Sequence, residues 1–184
     1  ALFNAGIAVY DTNAMPLADL PLLAVRNEAC QTKINLTTSV LKQGESVISA
    51  PVIGESKSPR FCIATPIRDA GEQVVGAFLG VVDLGRPNFL DQTTDNPYAR
   101  TGGYLLISPV TRQIISATDK SRVMERFPAA GTIPLLDRFI RGDEGSGIAT
   151  NPHGVELLAS AKTIPAAGWV IAATLPIDEA FTPI

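Results

Sequence analysis

Two apolar runs joined by a short polar turn constrain the fold of this chain more than any other feature. Residues 61–67 and 76–85 are rich in β-forming side chains, and the turn Arg68-Asp-Ala-Gly-Glu-Gln73 separates them. Two such runs around a Gly-centred turn predict an antiparallel hairpin. A polar connector follows, and a new strand signal begins at Gly103-Tyr-Leu-Leu-Ile107. We therefore expect the hairpin to close one structural unit, after which the chain begins another.

Length and charge narrow the class of protein. The chain has 184 residues, of which 46% are hydrophobic and 18% charged, so it can bury a sizeable core. A net charge of −3 offers no basic surface for a phosphate backbone, which argues against a nucleic-acid partner. No apolar run reaches the roughly 18 residues that a membrane span needs. The sequence starts at Ala1-Leu-Phe, and we interpret it as a piece excised from a longer protein.

The first unit is expected to contain a strand, a helix and a meander of three strands. Ile7-Ala-Val-Tyr10 predicts the first strand. Apolar residues near 3.6-residue spacing predict a helix from Leu20 to about Leu41, which Lys42-Gln-Gly44 ends. Pro16 and Pro21 are interpreted as breaks before it. Residues 46–53 predict a strand that precedes the hairpin.

The second unit repeats this plan loosely. Strands are expected at residues 104–107 and 113–116, and a short helix at 119–126 with Asp119 as its N-cap. Pro134 opens a further helix that ends before Gly142. A closing pair of strands, 157–164 and 169–175, matches the closing hairpin of the first unit. The predicted fold is α+β, with two PAS-like units at residues 1–88 and 89–184, each an antiparallel sheet flanked by helices.

The order of these motifs resembles a known family of sensors. The series Val-Ile-Ser-Ala-Pro, Ile-Ala-Thr-Pro-Ile-Arg-Asp, Gly-Val-Val-Asp-Leu and Thr-Gly-Gly-Tyr-Leu-Leu-Ile is similar to the double Cache (dCache) extracytoplasmic domains of bacterial transmembrane receptors. The closing stretch from Ile164 to Ile184 looks most like sensors attached to GGDEF-type cyclases or histidine kinases. The family's long N-terminal helix has no counterpart in the printed sequence, and its second membrane span would begin near Ile184.

This resemblance implies a function. It implies the periplasmic part of an inner-membrane signalling protein, with a membrane-distal unit at residues 1–88 that binds a small molecule and a membrane-proximal unit at 89–184. The ligand would be an organic acid, amino acid or amine. No enzyme activity, cofactor or metal is expected, and the class allows a homodimer. Amino-acid-binding members carry Arg-x-Trp-Tyr where this chain has Arg26-Asn-Glu-Ala, which counts against an α-amino acid.

Five residues are the candidates for ligand binding in the first unit. Asp83 follows an apolar strand, where such sensors often have an acid that binds a ligand's ammonium group. A buried carboxylate needs a cation or hydrogen-bond donors. Arg60 lies at the mouth of the hairpin, where its fork could bind a carboxylate. Tyr10, Cys62 and Phe78 are expected to line the pocket. The alternatives are a turn-capping aspartate and a solvated arginine.

Other interpretations stay open at this stage. The domain could be a structural or dimerisation spacer that binds nothing. A hydrolase is disfavoured, because the sequence offers no nucleophile–base constellation. Cys30 and Cys62 could form a disulfide, or be two small buried side chains. His153 is expected to be a turn residue. Trp169 and Tyr104 are expected to pack into the core of the second unit, where we expect no ligand.

Overall fold

The chain forms two compact units, Ala1–Asn88 and Phe89–Ile184. Our computed structural model describes residues 2–20, 30–53, 57–96 and 99–181, with the side chains of residues 30–34 excepted. Each unit contains one antiparallel sheet with helices beside it, which confirms the predicted α+β class. Among the helices described, none is long and apolar enough to cross a membrane.

The first sheet has six strands, in the order β2-β1-β6-β5-β3, with β4 also paired to β5. Its long central pair is the predicted hairpin, in which Asp69 Oδ1 accepts hydrogen bonds from the turn's Gly71 and Gln73 N–H groups, both at 2.9 Å. Helix α1 packs against β5 and β6. The elements are β1 Gly6–Tyr10, β2 Pro16–Leu20, α1 Cys30–Gln43, β3 Val47–Ile48, β4 Val52–Ile53, β5 Pro59–Arg68 and β6 Val74–Asp83.

The first unit departs from the sequence prediction in two places. Pro16 opens strand β2 rather than breaking the chain, which is compatible with proline because the first residue of an edge strand need not donate to the ladder. The strand expected at residues 46–53 is split into β3 and β4, with Pro51 between them. The predicted helix is present from Cys30 to Gln43 and ends at Gly44, whose φ is +70°, while residues 21–29 lie outside the described part.

The second sheet has five strands, in the order β8-β7-β11-β10-β9. The short helix expected after Asp119 is a single 3-10 turn, and the Asp119 carboxylate accepts from Ser121 N–H as the predicted cap. Helix α3 has the predicted bounds. The elements are α2 Asp91–Thr94, β7 Gly103–Ser108, β8 Gln113–Ala117, the 3-10 turn Lys120–Arg122, α3 Pro134–Ile140, β9 Gly145–Thr150, β10 Glu156–Ile164, β11 Trp169–Pro176 and α4 Ile177–Ala180.

The main core of the second unit lies between α3 and one face of this sheet. Alternate residues of a strand point to opposite faces, so Val170 and Ala172 face α3 while Trp169 and Ala173 do not. Trp169 is buried as expected, but on the face away from α3. Tyr104 pairs with Ala173 on that same face and is half-buried. Trp169 is therefore buried as expected, Tyr104 is only half-buried, and neither belongs to the cluster between α3 and the sheet.

Candidate functional site

Arg60 and Asp83 lie directly opposite each other where β5 begins and β6 ends. Arg60 Nε is 3.2 Å from Asp83 Oδ2, so the two residues form a hydrogen-bonded ion pair. The arginine side chain keeps 18% of its surface exposed, whereas the aspartate side chain keeps 1%. The exposed Arg86 stands 3.8 Å from the same carboxylate oxygen. Two cations therefore flank one buried anion.

The second carboxylate oxygen of Asp83 is held by the chain itself. Oδ1 accepts hydrogen bonds from Ser58 Oγ and, at 2.9 Å, from Gly85 N–H. Burial on its own would raise the pKa of Asp83, but the hydrogen bonds from Ser58, Gly85 and Arg60 outweigh it and hold the pKa below its ordinary value. Asp83 is therefore an anion at neutral pH.

Asn4 fixes the backbone at the same place. Its side-chain amide accepts from Asp83 N–H at 2.7 Å and donates to the carbonyl oxygens of Asp83 and Pro87, each at 3.0 Å. Gly85 permits the close approach of Ser58, because a Cβ built on Gly85 would lie 2.5 Å from Ser58 Oγ. Hydrogen bonds thus rigidly position the carboxylate, and with it the arginine that it contacts.

Three of the five predicted site residues lie near one another on the same sheet face. Cys62 is two residues after Arg60 on β5 and is buried, with Ser49 Oγ accepting from its N–H at 2.9 Å. Tyr10 is buried on this face too, but it pairs with Ala77, six residues before Asp83 and so roughly 20 Å along the strand.

Phe78 lies on the other face of the sheet from the remaining four predicted residues. Phe78 and Asp83 are separated by an odd number of residues along β6, so their side chains lie on opposite faces of the sheet. The Phe78 ring contacts Phe3, with ring centroids 5.5 Å apart. Side chains alternate between the two faces along the predicted strand. The sequence alone therefore already places Phe78 and Asp83 on opposite faces.

Sequence reasoning missed the groups that hold Asp83. Ser58 and Gly85 flank the two strand ends, and a hairpin register with Arg60 opposite Asp83 would bring both close to the carboxylate. Asn4 left no such signal, because it is 79 residues from Asp83 and no local pattern links them.

Two expectations fall wholly or partly outside the described residues. Arg26-Asn-Glu-Ala lies outside them, so the comparison with the amino-acid-binding pattern rests on sequence alone. The side chain of Cys30 is also outside, and a disulfide with Cys62 stays a prediction. His153 lies in the turn after β9, as predicted. Within the described ranges, no group of three or more His, Cys, Asp and Glu side chains could hold a metal ion.

Two antiparallel sheets in successive units, each closed by a long hairpin, define a two-unit PAS-like fold. Solved structures of this class confirm the resemblance at the level of the fold. The chain matches the periplasmic sensory domain of the Campylobacter jejuni chemoreceptor Tlp1 with a TM-score of 0.59 at 17% identity. It matches the extracellular domain of the histidine kinase mmHK1S-Z3 with a TM-score of 0.61 at 16% identity.

A third match was solved with its ligand. The ligand-binding domain of the Pseudomonas fluorescens chemoreceptor CtaA, in complex with L-isoleucine, has a TM-score of 0.61 at 19% identity, covering 96% of this chain and 70% of that one. The Tlp1 and mmHK1S-Z3 matches cover 81% and 89% of this chain, which spans 57% and 58% of those domains. No family model matches the sequence, and no curated protein matches it significantly.

Proposed function

We propose that this chain is an extracytoplasmic ligand-sensing module of a bacterial membrane signalling protein, with no catalytic role, and that its first unit binds a small molecule at the Arg60 end of the sheet. The fold, shared with sensory and ligand-binding domains, supports the class. The observation that carries the site is the hydrogen-bonded pair of the partly exposed Arg60 and the buried Asp83. Fold alone does not assign a function, so the residues of the site must support it.

Exposure decides which member of this pair a ligand would contact. The Arg60 side chain is 18% exposed and Asp83 only 1%, so an arriving molecule meets the guanidinium rather than the carboxylate. Asp83 then acts as a positioning residue, which fixes Arg60 through Nε. This proposal differs from the expectation from sequence, in which the Asp83 carboxylate itself would bind a ligand's ammonium group.

Charge favours an anionic ligand at this place. Arg60 and Arg86 each carry a positive charge within 4 Å of the Asp83 carboxylate. A guanidinium binds carboxylates through charge-assisted, often paired hydrogen bonds. Organic acids, or the carboxylate end of an amino acid, are therefore the proposed ligand class. The amino acids bound to CtaA carry such a group, since those complexes hold L-isoleucine, L-serine and L-leucine.

A thermal-shift screen tests this proposal directly. Organic acids, amino acids, amines and purines would each be added to the full chain. A ligand present at 100 times its dissociation constant should add about 2.7 kcal/mol to the free energy of unfolding. We expect hits among the acids.

Calorimetric titration then places the site. Arg60→Ala should weaken binding of the acid found in the screen by roughly thirtyfold to several thousandfold, the usual cost of removing one partner of a desolvated charge contact. Arg68→Ala is the matched control, because Arg68 lies at the other end of β5 and contacts the carbonyl oxygens of Gly44 and Glu72. If folded Arg60→Ala binds like the wild type, the ligand site is elsewhere.

One observation favours the second candidate, a spacer that transmits a partner's signal and binds nothing. Both oxygens of the Asp83 carboxylate already have donors from the chain, as a turn-capping aspartate would. A spacer predicts that no compound class shifts the melting temperature, while Arg60→Ala still lowers the stability of the fold.

A further inference from the structure

A cavity lies in the second unit, between α3 and the inner face of the sheet. Its volume is about 60 Å³, and it is partly open to solvent. Apolar side chains form most of its wall, among them Ile107, Phe127 and Phe139. Polar groups are few and include those of Arg122 and Asn151. Small-molecule sites commonly combine an apolar wall with a few placed polar groups.

The cavity exists because one row of the sheet carries small residues. Gly147 of β9 pairs with Ala159 of β10, and Ala159 pairs with Thr174 of β11. Ala159 and Thr174 line the cavity. Larger side chains at these positions would fill the space below α3. The absence of a Cβ at Gly147 also lets Leu135 approach, since that Cβ would lie 2.9 Å from Leu135 Cδ1.

Arg122 offers a hydrogen-bond donor to this space. Its Nε and Nη2 groups donate to the two carboxylate oxygens of Glu125, at 2.7 and 3.1 Å. This paired contact fixes the plane of the guanidinium. The remaining Nη1 group donates to no acceptor among the residues that the structure describes. Its N–H groups are thus left for a ligand.

Asn151 offers a second donor, because the residue that accepts in its turn is an amide. Its Oδ1 accepts from His153 and Val155 N–H, at 2.9 and 3.0 Å. The chain uses this same turn twice in the first unit, where Asp11 and Asp69 accept from the N–H groups two and four residues later. Those two turns use a carboxylate. The turn beside the cavity uses an amide, whose Nδ2 group bonds to no described acceptor.

We infer that this cavity binds a short aliphatic monocarboxylate, with its hydrocarbon tail among the apolar side chains and its carboxylate on Arg122 Nη1 and Asn151 Nδ2. Donors without acceptors at both polar positions favour a ligand head group that only accepts hydrogen bonds. The Glu125 carboxylate neutralises the charge of Arg122, so the ligand is held by hydrogen bonds from Arg122 Nη1 and Asn151 Nδ2 rather than by long-range attraction. The inference does not depend on the site proposed for the first unit.

The volume sets the length of the tail. An engineered cavity of about 150 Å³ accommodates benzene, which has six heavy atoms, so about 60 Å³ accommodates two or three carbons. Propionate and butyrate fit this limit when the carboxylate stays at the opening. Each methylene buried should improve affinity roughly fourfold. We expect dissociation constants on the order of 1 mM, as is usual for ligands of so few atoms.

The test is an NMR titration of the full chain with acetate, propionate, butyrate and hexanoate. Affinity should rise about fourfold per carbon from acetate to butyrate and fall for hexanoate, whose tail exceeds the cavity. Shifted amides should cluster in β9, β10 and α3. Butyramide should bind more weakly than butyrate, because it lacks the charged acceptor. No binding at 10 mM, equal affinity for all four acids, or shifts confined to the first unit would overturn the inference.

Asn151→Asp is the sharpest variant, because it keeps both hydrogen bonds of the turn, removes the amide donor and adds a charge that repels a carboxylate. Asp11 and Asp69 demonstrate that a carboxylate supports this turn. Binding of butyrate should weaken at least tenfold, whereas Arg68→Ala in the first unit, which loses only contacts to backbone carbonyl oxygens, should leave it unchanged. Ala159→Val, which fills the cavity, should also abolish binding. Unchanged affinity in folded Asn151→Asp refutes the site whether or not Ala159→Val folds.

Discussion

The Arg60–Asp83 pair permits a quantitative prediction about the stability of the first unit. Asp83→Ala removes the acceptor of three donors, namely Ser58 Oγ, Gly85 N–H and Arg60 Nε. Hydrogen bonds to a charged group contribute about 1.5–3 kcal/mol each when buried. Water can replace the lost acceptor at the half-buried Ser58 and Arg60. We therefore expect a loss of about 3 kcal/mol, well below the sum of three full bonds.

Arg60→Ala should cost less, because the carboxylate keeps its other two donors and has Arg86 at 3.8 Å. We expect a loss of about 1.5 kcal/mol for this variant and a coupling energy of about 1 kcal/mol in the double-mutant cycle. Arg86→Ala is the control. Its side chain is 65% exposed, and a surface ion pair of this kind contributes less than about 0.5 kcal/mol.

The assay is urea unfolding followed by circular dichroism for the wild type, both single variants, the double variant and the control. The slope of the free energy of unfolding against urea should stay constant, so that differences report stability alone. A loss below about 1 kcal/mol for Asp83→Ala, or single-variant effects that simply add, would refute the view that this buried pair holds the hairpin to the following turn.

Three further predictions concern the same unit. The folded pKa of Asp83 is lowered, so its ionised form contributes stability that is complete above the unfolded pKa of about 3.9 and is lost as pH falls through the folded pKa. Asp83→Asn should therefore flatten the acid side of a plot of the free energy of unfolding against pH. Parallel profiles for the variant and the wild type would contradict this. Gly76→Ala places a Cβ 2.6 Å from the carbonyl oxygen of Tyr10 and should cost about 1–3 kcal/mol in urea unfolding, whereas Gly71→Ala, with 3.4 Å to its nearest neighbour, should be nearly neutral. Leu79→Ala, at a fully buried position, should lower the free energy of unfolding by about 2–5 kcal/mol, and a loss under 1 kcal/mol would place Leu79 outside the core.

Much of the fold could be predicted because it depends on local patterns. The hairpin of β5 and β6, the helix α3 with Pro134 at its start, and the Asp119 cap each follow from adjacent residues. Strand β2 could not be recognised in this way. It is short and almost wholly exposed, so it has no buried alternation, and its first residue is Pro16. Its place in the sheet comes from pairing with β1, which is a tertiary contact.

The candidate site was predicted less completely than the fold. The hairpin pattern predicts Arg60 and Asp83 at one end of the hairpin, because a hairpin brings its strand ends together, but it does not predict their ion pair. The roles of the two charges depend on which one is exposed, and exposure is set by Asn4, Ser58 and the turn at Gly85, which pack around the carboxylate. The cavity of the second unit was not expected at all. It arises from small residues on three different strands, whose alignment in one row no single stretch of sequence reveals.

The strand order of both sheets has a consequence for the synthesis of this chain. In each unit the last strand lies between the first strand and the penultimate one, so Gly6 pairs with Val81 and Gly103 pairs with Thr174. A nascent chain on the ribosome can form hairpins and helices early, but it cannot join the two halves of a sheet until the final strand has emerged. Closing so long a loop also makes this step slow relative to local folding. A polypeptide interrupted before β6 therefore leaves β1 and β5 with unpaired edges, which are targets for proteases and for aggregation.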